Sequence, residues 1–297
     1  MSKIYISLVI FVLVFPLIIK NTYVLHLVIL IFMWVIIGQS WNLLGGYTGQ
    51  ASFGHAAFFG MGAYGAGLLF LKLGISTWYG IIIGSILAAV LAIPLGIICF
   101  RLRGPYFALS MLASAEVLRL ITTNWRSFTN GPVGILVIPS FRSKIPYYYI
   151  ILALALFTIF LLRKIINSKL GCYLVAIREN QDAAESLGIN SARYKLISLI
   201  ISGFLAGLAG SFYMNYIGYI DPYIVFSLVD ISITAILVVM IGGAGTFWGP
   251  VIGALVMVLA GEGFRLAFGQ AHVLIYGILI ILIIIFMPCG IVGRLSK

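Results

Sequence analysis

Long apolar runs separated by short polar connections make up most of the chain. An apolar helix of about 20 residues is long enough to cross a bilayer. The candidate spans fall at about 4–19, 22–44, 49–71, 78–100, 105–125, 147–165, 196–219, 226–242, 249–267 and 271–288. The first is short, and the third and eighth are broken by glycine or shortened, which is also typical of re-entrant segments. The pattern predicts an all-α polytopic membrane protein, with about ten spans in a single domain over 1–297.

Composition supports a membrane protein and excludes a soluble domain. Hydrophobic residues make up 63% of the chain and charged residues 8%, and the mean hydropathy is +1.18. A soluble domain of this composition would expose a mostly apolar surface. No small-residue cleavage site follows the first apolar run, so we expect a retained span rather than a signal peptide. The spacings Gly203-x-x-x-Gly207 and Gly249-x-x-x-Gly253 predict closely packed helices.

One long polar interruption runs from Arg163 to Lys195 and holds six bases and three of the seven acids. Within it, the run from Asp182 to Gly188 has the pattern of a short helix ended by glycine. Two small alanines and the final glycine would let a partner surface approach closely, and the flanking charges would set its register. An ordinary amphipathic loop is the alternative interpretation.

The basic residues predict the orientation of the chain. In a soluble protein a net charge of +11 would suggest nucleic acid, but here the bases stand in short loops beside apolar runs. The positive-inside rule describes that arrangement, so no nucleic-acid partner is expected. If the polar interruption 163–195 is cytoplasmic, both termini are too, and 11 bases lie inside against 5 outside.

Few residues suit catalysis or metal binding. The three cysteines and three histidines have no paired or ligand spacing, so we predict no disulfide, no metal site, no cofactor and no catalytic histidine. The glycine loop from Gly45 to Gly49 lacks the Lys and the Ser or Thr that a phosphate loop requires. We therefore expect that any nucleotide hydrolysis takes place on another polypeptide, and that this chain is not an enzyme.

A glycine-rich segment supplies candidate residues for a translocation pathway. Gln50, Ser52, Gly54 and His55 stand at the predicted membrane depth. Glycine-broken backbone is tolerated there only where protein or water covers it, so a cavity is one interpretation and packing inside the bundle is the other. The loop at 242–249 loosely resembles the one at 45–49, as in transporters built from repeats.

Ionisable residues inside predicted spans are also candidates for function. Glu116 and Arg119 stand three residues apart, as do Glu262 and Arg265, so each pair can instead neutralise itself on one helix face. Asp230 has no close partner in sequence and either caps or hydrogen-bonds near the start of its span, or faces the pathway. We retain Glu116 and Asp230 as candidate pathway residues.

Several motifs resemble those of the permease subunits of branched-chain amino acid (Liv-type) ABC importers. They cover about residues 40 to 265 and are specific in combination. The motifs are Gly46-Tyr47-Thr48-Gly49-Gln50, Ser52-Phe53-Gly54-His55-Ala56-Ala57-Phe58, Ala176-Ile177-Arg178-Glu179-Asn180, Leu187-Gly188-Ile189-Asn190, Gly207-Leu208-Ala209-Gly210 and Ile241-Gly242-Gly243-x-Gly245-Thr246-x-x-Gly249-Pro250.

The resemblance implies an ABC importer permease fold in a prokaryotic inner membrane, surrounded by lipid. It also implies a heterodimer with a related permease, two cytoplasmic ATP-binding subunits and an external solute-binding protein. In such transporters a Glu-Ala-Ala-x-x-x-Gly loop docks into a cleft on the ATPase, and Asp182 stands here where the general motif has Glu. The residues expected to couple this chain to the ATPase are Arg178, Glu179, Asp182, Ala183, Ala184 and Gly188.

These observations predict a permease that imports branched-chain or other apolar amino acids by alternating access, driven by partner ATPases. Urea and short-amide permeases share much of the motif pattern, and such a substrate is one alternative. An ion-coupled secondary transporter is the other, with Glu116, Asp230 or Glu262 as its cation site.

Overall fold

The computed structural model describes residues 13–16, 21–268 and 290–295, which are mostly helical. Eight helices in these ranges are long and apolar enough to cross a membrane, and they coincide with the eight spans predicted between 22 and 267. The predicted spans 4–19 and 271–288 lie mostly or wholly outside the described residues. So do both termini and the residues Lys3, Lys20, His272, Cys289 and Lys297.

The helices follow one another with short connections. In chain order they are α1 (Thr22–Trp41), α2 (His55–Leu73), α3 (Thr77–Cys99), α4 (Pro105–Asn124), α5 (Arg126–Thr129), α6 (Ile145–Ile166), α7 (Lys169–Glu179), α8 (Gln181–Ser186), α9 (Ser191–Ile217), α10 (Pro222–Val225), α11 (Thr234–Gly242), α12 (Gly249–Phe268) and α13 (Gly290–Leu295). Two π-helical segments, Asn42–Tyr47 and Leu228–Ile233, extend α1 and lead into α11. The strands β1 (Ile135–Leu136) and β2 (Tyr219–Ile220) pair antiparallel, with Ile135 opposite Ile220.

Successive spans run antiparallel, so their connections fall alternately at the two ends of the bundle. We call the end that carries α7 and α8 the α8 end, and the end that carries β1 and β2 the strand end. Among the described residues, the bases in the α8-end connections are Arg101, Arg103, Arg163, Lys164, Lys169, Arg178, Arg193 and Lys195. Those in the strand-end connections are Lys72, Arg126, Arg142 and Lys144. Among the described residues the α8 end therefore carries more bases than the strand end, as the sequence predicts.

The centre of the bundle is built from α2, α3 and α9, whose backbones touch at glycines. A Cβ added at Gly62 of α2 would overlap the backbone of Gly207 in α9, and one added at Gly210 would overlap the carbonyl oxygen of Phe59. The Ser211 hydroxyl donates to Gly62 O across the same contact, at 2.8 Å. The close packing predicted from the glycine spacing is thus confirmed, because small residues let helix backbones meet without a side chain between them.

The glycine break predicted in the third span is also confirmed. Helix α2 begins at His55 rather than near residue 49, because Gly49 takes a left-handed turn with φ of +73° after the first π-helical segment. Gln50 and Ser52 therefore belong to a loop and not to the helix. That loop folds back against α1, where Trp41 Nε1 donates to Ser52 O at 2.8 Å.

Substitution of Gly210 by Ala is expected to destabilise the folded bundle, because the new methyl group would force α2 and α9 apart. Overpacking of this kind typically costs about 1–3 kcal/mol. Gly263 provides a matched control, since an added Cβ there meets no atom within 4 Å. We expect a lower thermal unfolding midpoint in detergent for Gly210→Ala than for Gly263→Ala. Equal midpoints would contradict the close α2–α9 contact.

Candidate functional site

The polar interruption contains the short helices α7 and α8, which are joined through a single residue. Asn180 donates its N–H to Ala176 O at 3.1 Å at the end of α7, and its Oδ1 accepts from Ala183 N at 3.0 Å at the start of α8. The predicted helix over 182–188 is therefore present as α8 and a glycine-terminated turn. Gly188 has φ of +84°, in the left-handed region that glycine favours. No flexible linker separates α7 from α8.

Helix α8 presents a small surface on the outside of the protein. Asp182, Ala183 and Glu185 are exposed, and Leu187 is 83% exposed. Ala184 is 3% exposed and faces the interior, so only one of the two motif alanines lies on this surface. Leu187 belongs to one of the motifs named from the sequence, but its exposure was not predicted, because one leucine among so many apolar residues carries no such signal.

A polar network fastens α8 to the first turn of α9. Lys195 is 4% exposed, and its Nζ donates to Gln181 Oε1 at 2.6 Å. Gln181 Nε2 donates to Glu185 Oε1 at 2.9 Å, and Ser191 Oγ donates to the same carboxylate oxygen. These bonds to the charged form lower the pKa of Glu185, and the bond from Ser191 contributes most. A displacement of α8 would therefore be carried into α9, which is a membrane span.

The charged residues beside this network differ in their settings. Asp182 pairs with Arg103, but the two side chains are 76% and 65% exposed. Exposed pairs of this kind contribute about 0–1 kcal/mol. Glu179 pairs with Arg178, whose Nε and Nη2 lie 3.0 and 2.6 Å from Glu179 Oε1. The Arg178 side chain is 34% exposed, because its far end turns inward.

Two glycine loops meet beneath Arg178. The first, from Gly45 to Gly49, begins within the π-helical extension of α1, and Arg178 Nη1 donates to its Gly46 carbonyl at 3.0 Å. A Cβ added at Gly49 would lie 2.9 Å from Arg178 Cγ, so the aliphatic part of the arginine covers this loop. The second loop follows α11, and a Cβ at Gly245 would lie 2.8 Å from Arg178 Nη1. The two loops that resemble each other in sequence are thus in direct contact.

Two side chains of α1 and its π-helical extension hold the second glycine loop. Asn42 Oδ1 accepts from Gly245 N at 2.8 Å, and Asn42 Nδ2 donates to Thr246 O at 2.9 Å. Gln39 Nε2 donates to Phe247 O at 2.9 Å. Both Gln39 and Asn42 are fully buried, so these bonds satisfy loop backbone groups away from solvent.

The candidate pathway residues between α1 and α2 pack mostly within this chain. Ser52, Gly54 and His55 are buried, and Gln50 is partly buried. His55 Nε2 lies 2.9 Å from Ser202 Oγ of α9. This arrangement is the one expected from packing inside the bundle, and a part in the pathway stays a prediction for these residues.

Glu116 and Asp230 are exposed on the outside of the chain, each with local partners. Arg119 Nε donates to Glu116 Oε2 at 2.9 Å, and the Arg119 guanidinium carbon lies 4.9 Å from the centre of the Tyr223 ring. Asp230 Oδ2 accepts from Ser227 Oγ at 2.6 Å, and Asp230 N donates back to that hydroxyl at 3.1 Å. Ser227 is therefore the N-cap, and Asp230 hydrogen-bonds to it at the start of its span, which is one of the predicted alternatives.

The second predicted ion pair also forms within its own helix. Glu262 of α12 accepts hydrogen bonds from Arg265 of the same helix and from Tyr23 of α1. Intrahelical pairing is thus confirmed for Glu262, as it is for Glu116. In the part of the chain that the structure describes, no group of three or more His, Cys, Asp and Glu side chains is arranged to hold a metal ion.

Comparison with known proteins identifies a family and several relatives. The family described as "Branched-chain amino acid transport system / permease component" matches residues 23–287. The high-affinity branched-chain amino acid transport system permease protein LivM of Escherichia coli K12 is 28% identical over 288 residues, covering 87% of this chain and 67% of LivM. The corresponding permease protein LivH of the same organism is 26% identical over 289 residues, covering 88% of this chain and 91% of LivH.

A more distant organism provides a third relative. The probable branched-chain amino acid transport permease protein LivM of Methanocaldococcus jannaschii is 24% identical over 325 residues, covering 90% of this chain and 94% of the relative. No solved structure matches this chain.

Acidification is expected to loosen α8. The pKa of Glu185 in the folded protein lies below its usual value of 4.5, because Ser191 and Gln181 donate to the carboxylate. A depressed pKa stabilises the folded state above the usual value, and this contribution is lost as the pH falls through the lower folded value. Hydrogen-exchange protection factors for amides of residues 182–188, corrected for intrinsic exchange, should therefore decrease as the pH falls below 4.5.

The variant Glu185→Gln should lose much of that pH dependence. Glu179→Gln is the control, because Glu179 pairs with Arg178 and takes no part in the Ser191 network. It should keep the wild-type profile. Identical pH profiles for the wild type and Glu185→Gln would show that this carboxylate does not hold α8 in place.

Proposed function

This chain belongs to the family of permease components of branched-chain amino acid transport systems, and we propose that it is a membrane-spanning subunit of an ATP-driven importer of branched-chain or other apolar amino acids. The observation that carries the proposal is the exposed helix α8, held at the basic end of a bundle of spans by buried contacts. Relatives described as LivM and LivH are permeases for branched-chain amino acids, which supports the substrate class.

The proposed assembly contains four kinds of subunit. This chain would pair with a related permease, because both LivM and LivH are among its relatives. Two ATP-binding subunits would act on the α8 end, since the glycine loop at 45–49 lacks the residues of a phosphate loop. An external solute-binding protein would deliver substrate at the strand end. The α8 end and both termini then face the cytoplasm of a cell with an inner membrane, as the distribution of bases favours.

Helix α8 is the proposed docking element for the ATPases. The groups exposed on it and just after it include the Asp182 carboxylate, the Ala183 methyl group and the large apolar side chain of Leu187. A small residue beside a protruding leucine allows close approach and gives the partner an apolar anchor, while a carboxylate sets register. Glu179 stands at the edge of the same surface and Gly188 shapes its end, so both belong to the proposed coupling element.

We propose alternating access as the transport mechanism. Nucleotide-driven closure of the ATPases would displace α8, and the Lys195–Gln181 contact would carry the displacement into α9. Because α9 packs against α2 and α3 through glycines, these three spans would move together. The free-energy difference between the inward- and outward-facing states then changes by the difference in the free energy of ATPase binding to the two states.

The proposed pathway runs beside this chain rather than through its centre. Glu116 and Asp230 are exposed on the outside of the chain, where a second permease would complete the wall of a pathway. The buried residues Ser52, Gly54 and His55 would support that wall from behind, with Gln50 near the α8 end.

The alternative functions differ in how well the side chains suit them. An ion-coupled carrier needs a carboxylate that is free to bind a cation, but Glu116 and Glu262 are each paired with an arginine. That pairing argues against Glu116 and Glu262 as the cation site and leaves Asp230, which bonds to Ser227, as the candidate for an ion-coupled carrier. Urea or a short amide remains the alternative substrate, because the motifs resemble those of both kinds of permease.

Uptake of labelled leucine into vesicles tests the proposed function directly. We expect uptake only when this chain is assembled with its partner permease, both ATPases and the binding protein, and only with ATP on the cytoplasmic side. Uptake by this chain alone that collapses with an ion gradient would contradict the proposal. Urea and acetamide serve as comparison solutes, and uptake of either in place of leucine would assign the alternative substrate.

Substitution of Gly188 tests the docking element. A Cβ there meets no atom within 4 Å, so the effect of a side chain arises from the backbone, whose φ is +84°. The left-handed conformation costs roughly 1–2 kcal/mol for residues other than glycine, and Asn tolerates it best. We expect Gly188→Val to insert but to hydrolyse ATP without leucine uptake, whereas Gly188→Asn keeps most uptake. Normal uptake by Gly188→Val would argue against a coupling role for this turn.

A further inference from the structure

Arg178 connects the α7–α8 unit to the places where two membrane spans end. Its Nη1 donates to the carbonyl of Gly46, at the end of the π-helical extension of α1. The same nitrogen lies against Gly245, in the loop between α11 and α12. One side chain thus contacts both glycine loops, although it belongs to a helix outside the membrane spans.

We infer that Arg178 is a positioning residue that transmits displacement of α8 to the two glycine loops, so that α1 and α11 respond to the ATPases together. The inference rests on the proposed function. It assigns Arg178 a role directed into the permease, separate from the docking surface formed by Asp182, Ala183 and Leu187.

The joint between α7 and α8 makes this transmission possible. Asn180 caps both helices, and Arg178 stands only four residues before Asp182. A shift of α8 therefore moves the α7 end and with it the guanidinium group. The loops on the receiving side are also tied to each other, since Asn42 bonds to Gly245 and Thr246.

The shape of the guanidinium group explains why arginine suits this position. Its Nε and Nη2 are held by the Glu179 carboxylate, which leaves Nη1 directed at Gly46 O. A planar fork with several fixed donors can make both contacts at once, whereas a lysine ammonium is a single point charge on a flexible stem. Glycine at 49 and 245 leaves room for the arginine, with φ of +73° and +72°.

The test follows the second glycine loop in the full assembly. Ala244 is exposed beside Gly245, and Ala244→Cys, in a chain whose native cysteines are replaced, provides a thiol for labelling. In the otherwise unchanged assembly, ATP with vanadate is expected to change the labelling rate. With Arg178→Gln we expect that change to disappear and leucine uptake to fall roughly tenfold, within the range typical of coupling between sites. The ATPases should still co-purify and hydrolyse ATP.

Two further variants separate position from charge. Arg178→Lys keeps the charge but not the fork, so its uptake and labelling should resemble those of Arg178→Gln. Arg193→Gln is the matched control, because Arg193 is an exposed arginine at the same end and its guanidinium has no ion-pair partner among the described residues. It should keep both the uptake and the labelling change.

The outcomes distinguish this inference from the proposed function. If Arg178→Gln keeps the nucleotide-dependent labelling, or if the ATPases no longer co-purify with it, the inference is wrong while the importer function stands. If Arg178→Gln loses uptake and labelling because it misfolds, its thermal unfolding midpoint will be lower than that of the wild type. Full uptake by Arg178→Lys would show that the positive charge alone suffices. If the unchanged assembly shows no ATP-driven leucine uptake, the proposed function fails and the inference fails with it.

Discussion

The buried side-chain amide of Asn42 is the contact on which the arrangement of the α8 end depends. A loop between two spans carries backbone N–H and C=O groups that have no helical partners. Asn42 supplies an acceptor to Gly245 N and a donor to Thr246 O, so one side chain satisfies both kinds of group. Gly46 must lack a side chain, because a Cβ there would overlap Asn42 Oδ1. The end of the first span and the loop that follows α11 are thereby fixed to each other.

The polar interruption 163–195 is attached to the membrane spans at two places. On the α7 side Arg178 bonds to Gly46 O, and on the α9 side the buried Lys195 bonds to Gln181. A buried ammonium group without a partner would be costly, so the second contact is hard to break. Helix α8 is exposed only on its outer face, and these two contacts join the α7–α8 unit to the membrane spans. A partner that binds α8 would therefore act on the membrane spans and not on a flexible loop.

Those parts of the structure that depend on local spacing were predictable from the sequence. Apolar length located the spans, a glycine ended α8, and a spacing of three paired Glu116 with Arg119. Contacts between distant positions were not predictable in this way. Arg178 and Gly46 are 132 positions apart, and Gly245 and Asn42 are 203 apart. No periodicity in one segment reports the direction of a side chain toward another, which is also why the inward position of Ala184 was missed.

The outer faces of α3 and α4 differ in a way that bears on assembly. Helix α3 is the most apolar of the described spans, and its exposed side chains include Ile82, Ile86 and Val90. Helix α4 is the least apolar of the described spans, and it carries the Glu116–Arg119 pair, whose carboxylate is exposed. Charged groups at membrane depth are costly against lipid and are normally covered by protein or water. Lipid therefore suits the α3 face, and the α4 face is where the proposed second permease would lie.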